Sequence, residues 1–188
     1  MNRYAVSLLA ALVALSGCAD QDQAQGHGQG QEQPSKSERG NITKAIGEPA
    51  IYGTGKCADE DCVTFTVDSL DWVDTCEYPL GDIEGDLLNV TLNASTSTAL
   101  DPSQSVGMFQ TYNWAVVDAE GVTRSNASGG IMTPCNPDPD GLGGEISPGS
   151  KYSGVLQFDV PPGSTHLILD VFGDASWEWA LPSPPSGS

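Results

Sequence analysis

Oxygen donors alternate in Asn136-x-Asp138-x-Asp140-Gly141. That spacing brings hard ligands at the first, third and fifth positions of a loop toward one point, ahead of a glycine that permits a sharp turn, as in the first half of a calcium loop. The second half departs from the pattern, because the twelfth position is Ser147 rather than a bidentate carboxylate and Pro137 and Pro139 stiffen the intervening positions. Glu145 or a carboxylate from another loop would have to supply the missing ligand. Asn, Asp, Pro and Gly also build plain turns, so Asn136, Asp138 and Asp140 stand as a calcium candidate beside a turn reading. Histidine chemistry would fall to His166, since His27 lies in a Gln/Gly-rich stretch with no second His or Cys nearby. His166 follows Pro161-Pro162-Gly163 at the start of an apolar alternation, where a rim position on a strand accounts for it without catalysis. The chain holds no Gly-x-Ser-x-Gly, His-Glu-x-x-His or Gly-x-x-x-x-Gly-Lys, and no motif singles out two of its acids as a glycosidase pair. The expectation is a protein without catalytic residues and, calcium aside, without a cofactor.

The first residues carry an address. Arg3 supplies a short positive region, Ala5 to Leu15 is an apolar stretch of 11 positions, and Leu15-Ser16-Gly17-Cys18 follows at once. A run this short cannot cross hydrocarbon as a helix, which needs about 20 residues, and the order is that of a secretory signal. Leu-Ser-Gly-Cys at this place resembles the lipobox of bacterial lipoproteins. The resemblance implies that the thiol of Cys18 is lipidated, that residues 1–18 end in the modified cysteine, and that acyl chains anchor the protein to a membrane from the extracytoplasmic side.

With Cys18 spent on lipid, Cys57, Cys62, Cys76 and Cys135 remain, the even count that two disulfides need in an oxidising compartment. Three connectivities can join four cysteines. Cys57 and Cys62 are close enough for a local clip, leaving Cys76 and Cys135, and this is the expected pairing. A zinc site is the alternative, but Cys-x4-Cys lacks a nearby histidine pair.

Residues 19–50 read as a tether of Gln, Gly, Ser, Glu and Pro with almost no aromatic or β-branched side chains, too little apolar surface to offset the entropy of ordering. Residues 183–188 read as a disordered tail, and residues 51–182 as the folding unit. Acidity belongs to that unit: residues 51 to 188 hold Lys56, Arg124 and Lys151 against 20 acids, a formal charge of −17. A nucleic-acid reader needs the opposite sign, so nucleic acid is excluded as a partner.

Within the folding unit apolar residues recur with period 2, the mark of half-buried strands. Val63, Phe65 and Val67 alternate, and Leu70 and Trp72 continue with shifted parity across Asp68-Ser69, as a bulge would produce. Leu88, Val90, Leu92 and Ala94 line a second strand, and Phe109 to Val117 reads as a third that turns through Asp118-Ala119-Glu120-Gly121 into Val122-Thr123-Arg124. Tyr152 to Val160 and Leu167 to Val171 follow, and Gly173-Asp174-Ala175-Ser176 leads into an edge strand with Trp177 and Trp179 on one side. Trp72, Trp114, Trp177 and Trp179 could form a ligand platform, yet at this spacing they read as filling between sheets. About seven short strands with no helical stripe give an all-β sandwich.

Val63-x-Phe65-x-Val67, Trp114-Ala115-Val116-Val117-Asp118-Ala119-Glu120-Gly121 and the series Ser147-Pro148-Gly149-Ser150 through Ser153-Gly154 to Phe158-Asp159-Val160-Pro161 together resemble the telokin-like, immunoglobulin-like domain of bacterial secreted lipoproteins. The resemblance implies an immunoglobulin-like β-sandwich at the cell surface and also a bond between the regions of Cys76 and Cys135; it carries no catalytic residues. The Cys57 to Cys62 loop is a departure from it. The function expected is therefore that of a lipid-anchored extracytoplasmic module that binds an envelope component or another protein without catalysis. A calcium-dependent surface or solute-binding protein is the alternative, and an envelope hydrolase a more distant one.

Overall fold

Alternating apolar residues become a two-layer sandwich because each strand has one face to bury and a second sheet is the surface available to cover it. The computed structural model describes residues 34–53, 57, 60–74, 76, 82–101, 103, 107–125, 127, 142 and 144–184. These residues form nine strands: β1 (Ile42–Thr43), β2 (Ala50–Gly53), β3 (Cys62–Val73), β4 (Asp86–Thr96), β5 (Trp114–Val117), β6 (Thr123–Ser125), β7 (Lys151–Val160), β8 (His166–Val171) and β9 (Ala175–Ala180). One sheet has the order β2-β3-β4-β7 and the other β1-β9-β8-β5-β6. The β3-β4 hairpin is followed by a crossing to the β5-β6 hairpin, a return to β7 beside β4, and a second crossing to β8 beside β5. That path, with β1 and β2 set aside, is the Greek-key connection of a seven-strand immunoglobulin-like sandwich.

The inner faces meet in an aromatic layer. Phe65 of β3 stands edge-on to Trp177 of β9 at 5.0 Å between ring centroids, and Trp114 of β5 lies 5.4 Å from Phe158 of β7 and 6.1 Å from Trp179. All five side chains are buried. Edge-on and tilted pairs suit rings with negative faces and positive edges. The tryptophans therefore fill the space between sheets, and Trp72, half-buried at the rim, donates its indole N–H to the Pro182 carbonyl.

The parity shift in β3 is a bulge. Val67 pairs with Leu92 and Ser69 with Thr91, which leaves Asp68 without a partner in the ladder, and the Asp68 carboxylate accepts from the Asn93 side-chain amide. The extra residue turns Leu70 inward beside Val90, as Val67 faces inward beside Leu92.

Three expectations need correction. Residues 34–50 are not all tether: the chain turns at Ser37 to Asn41, β1 pairs in parallel with Trp177 and Glu178 of β9, and Asn41 and Ala50 are buried. The segment is held by backbone ladder bonds and polar side chains rather than by the apolar surface on which the tether reading relied. For the same reason β9 is not an edge strand, since it lies between β1 and β8. The run Phe109 to Val117 is strand from Trp114 onward only; a turn at Gly107 to Gln110 and a 3-10 turn at Thr111–Asn113 precede it. Asn113 fixes that geometry by donating its side-chain amide to the carbonyls of Gly107 and Met108.

Candidate functional site

Strand alternation sends one set of side chains outward from the five-stranded sheet. The pairing register places Ser125 and Thr123 of β6, Ala115 of β5, Ile168 and Asp170 of β8, and Ser176 and Glu178 of β9 on that face. Together with the turns around it, this face forms an open groove of about 530 Å3. Ala115 and Ile168 lie between a wall from β6 and a wall from the 34–43 strap, to which Arg39 and Asn41 contribute. Tyr112, from the 3-10 turn, and Phe172, from the β8-β9 turn, add two aromatic rings. The two residues are 61% and 50% exposed respectively, although burial is the ordinary place for a large ring.

Phe172 is unusual in its backbone as well. The turn Val171 to Asp174 closes with the Asp174 N–H on the Val171 carbonyl at 3.0 Å, and its central residues both have positive φ, 55° at Phe172 and 76° at Gly173. Such a turn favours Asn, Asp or Gly at the first of these positions. An L-residue with a large side chain is strained there. The Asp170 carboxylate supports the turn by accepting the Gly173 N–H at 3.0 Å.

One strand position away, Glu178 points outward yet is only 2% exposed, because the strap covers it. Its carboxylate accepts from Ser37 Oγ at 3.0 Å, Asn41 Nδ2 at 2.8 Å, Arg39 Nε at 3.1 Å and Arg39 Nη2. Burial pushes the Glu178 carboxyl up, but the bonds from Arg39, Asn41 and Ser37 outweigh it and hold the group below the usual carboxylate range. The same pair raises Arg39 above its ordinary value. Asn41 is further fixed by accepting the Ser176 hydroxyl at 2.7 Å. One wall of the groove is thus a preorganised polar network.

His166 begins β8, with its Nδ1 3.0 Å from Thr165 Oγ1 and its Nε2 3.8 Å from Glu178 Oε1. Hydroxyl, imidazole and carboxylate are the residue types of a nucleophile relay. In this arrangement, however, the Thr165 hydroxyl is within 3.4 Å of the Val117 carbonyl, to which it donates, and the carboxylate is committed to Arg39. The contact of His166 with Glu178 therefore joins the imidazole to the strap network.

Of the residues that the sequence marks, Cys57 and Cys62 form a disulfide with 5.3 Å between Cα atoms. Cys76 is also disulfide-bonded, to a partner outside the described residues. Cys18, Cys135, Asn136, Asp138, Asp140 and His27 lie outside the described residues as well. Sequence reasoning missed Tyr112, Phe172, Arg39 and Glu178. A usable signal lay in Phe172-Gly173 between two strands, where a turn asks for Asn-Gly, and in a lone acid between Trp177 and Trp179.

No family model and no curated protein matches the chain. Among solved structures it is similar to the secreted protein MPT63 from Mycobacterium tuberculosis, with 16% identity, 74% of this chain and 97% of that one covered, and a TM-score of 0.49. It is also similar to the yjhA protein from Bacillus subtilis, with 17% identity, 73% and 98% coverage, and a TM-score of 0.41.

Proposed function

We propose that this chain is a lipid-anchored, extracytoplasmic binding module without catalytic activity, and that the outer groove of its five-stranded sheet is the surface that binds. The observation that carries the reading is the pair of exposed rings, Tyr112 and Phe172, beside polar walls. A concave surface that combines aromatic area with a few fixed polar groups is the usual form of a ligand site. The signal region ending in Leu15-Ser16-Gly17-Cys18 supports the anchor, and the Cys57–Cys62 disulfide suits an oxidising compartment.

Two measurements test the proposal. A photo-crosslinking residue at Ser125, exposed on the β6 wall of the groove, should capture in living cells an envelope component that the same residue at Asn93, exposed on the other sheet, does not. Equal capture from both positions, or from neither, would refute a binding role for the groove. For the anchor, a fatty-acid analogue should label the wild type and not Cys18→Ala, which should leave the membrane fraction; a labelled variant would refute lipidation at Cys18.

A further inference from the structure

We infer that the groove takes a neutral oligosaccharide, an inference that rests on the binding-module reading above and names its ligand class. The first argument is the placement of Phe172. Local physics asks for Asn or Gly where φ is 55°, and burial does not compensate for a ring that is half exposed. A residue that breaks a local rule without a structural gain marks a place where function sets the choice. Tyr112 makes the same case from the other turn. Its hydroxyl stands over Gly107, where an added Cβ would come within 2.5 Å of it, so the ring rests against backbone while most of its surface faces solvent.

The polar atoms of the groove give the second argument. Among the described residues, Arg39 uses Nε and Nη2 on Glu178, which leaves Nη1; Asn113 uses its amide nitrogen, which leaves Oδ1; Asp170 uses Oδ1, which leaves Oδ2. Guanidinium, amide and carboxylate are planar groups whose donors and acceptors match the adjacent hydroxyls of a sugar ring. The electron-rich faces of Tyr112 and Phe172 match its C–H faces. A purely apolar ligand would leave those polar atoms dry and unpaired.

Charge gives the third. The cation in the wall is neutralised by Glu178, Asp170 adds a negative charge, and residues 51 to 188 carry a formal −17. An anionic ligand is therefore repelled, and a cationic one offers no acceptor to the guanidinium of Arg39 in the wall, whereas an uncharged ligand rich in hydroxyl groups pairs with Arg39 and Asp170 alike. The groove volume of about 530 Å3 falls within the roughly 300–1,000 Å3 of ordinary ligand sites.

The test is affinity electrophoresis of the full-length chain through gels cast with dextran, mixed-linkage β-glucan, galactomannan or arabinogalactan. At least one of these should retard the wild type, and Phe172→Asn and Tyr112→Ala should each weaken the retardation tenfold or more. Thermal melting in the same buffer separates this loss from misfolding, because Phe172→Asn should melt no lower than the wild type. Retardation by none of the four, or unchanged retardation of a folded Phe172→Asn protein, would overturn the saccharide inference. Crosslinking from position 125 to a protein in the absence of any retardation would overturn the inference and leave the binding-module reading standing; loss of both signals would overturn both.

Discussion

Arg39 and Glu178, 139 residues apart in the sequence, are joined by two hydrogen bonds that fasten the strap to the outer face of β9. The carboxylate is buried and the guanidinium is 32% exposed, so the pair is asymmetric: losing Arg39 leaves a charge in a covered place. Arg39→Ala should destabilise the protein by about 2 kcal/mol, less than the loss of a partner from a fully buried pair because water reaches the guanidinium side. Urea denaturation measures it, and a change within about 0.5 kcal/mol, the scatter of ordinary surface substitutions, would show that the strap does not depend on the pair.

Stability should also depend on acid through the same carboxylate. Glu178 sits below its unfolded value when folded, so the native state binds its proton less readily than the unfolded chain does. The contribution is complete above the unfolded pKa, about 4.3, and is lost as pH falls through the folded pKa. Between about pH 5 and pH 3 the wild type should therefore lose more unfolding free energy than Glu178→Gln, which has no proton to gain there. Parallel curves for the two proteins in a pH series of urea melts would assign the acid sensitivity elsewhere, Asp118 being the next candidate because the Val122 N–H and Arg124 hold it below its ordinary value.

Phe172→Asn should stabilise the fold by about 1 kcal/mol, since it relieves left-handed strain in a residue that buries only half its surface. The direction matters more than the size. A variant that gains stability while losing ligand separates the ring's role in binding from any role in folding, and a lowered melting temperature would mean that the ring supports the turn.

Two core tryptophans should respond differently to the same substitution. Trp114 donates its indole N–H to the Phe109 carbonyl at 3.3 Å, whereas the buried indole N–H of Trp179 has no partner among the described residues. Each change to Phe removes volume, but Trp114→Phe also orphans a carbonyl, while Trp179→Phe removes a donor that was already unsatisfied. Trp179→Phe should thus be the milder by about 1–2 kcal/mol, and equal losses by chemical denaturation would refute the distinction.

These residues also show what sequence reading reaches. Period-2 alternation carries β3, β4, β7 and β8, and even the bulge at Asp68, because each inward side chain leaves a trace at its own position. The strap leaves no such trace. Its attachment is written in Arg39 and Asn41 at one end of the chain and Glu178 at the other, and a hydrogen-bond network of that separation has no period. The groove was illegible for a related reason: Tyr112 lies in a segment whose apolar pattern resembles a strand, and Asn113 overrides that pattern through bonds to two carbonyls.

Asp68 is, in effect, a frameshift. A sheet of alternating faces is read two residues at a time, and one extra residue changes which half of the sequence after it is core. Deleting Asp68 would join Val67 directly to Ser69, and β3 would then alternate regularly with Val63, Phe65, Val67, Leu70 and Trp72 all on the inner face. Kept in the chain but paired as a regular ladder residue, Asp68 would let β3 hold Val63, Phe65 and Val67 inward or Leu70 and Trp72, but not both sets, and the set that lost would be displayed to water. The deletion would therefore remove the local twist of the bulge and not the core, whereas a one-residue insertion elsewhere in β3 would need a second bulge to keep the frame.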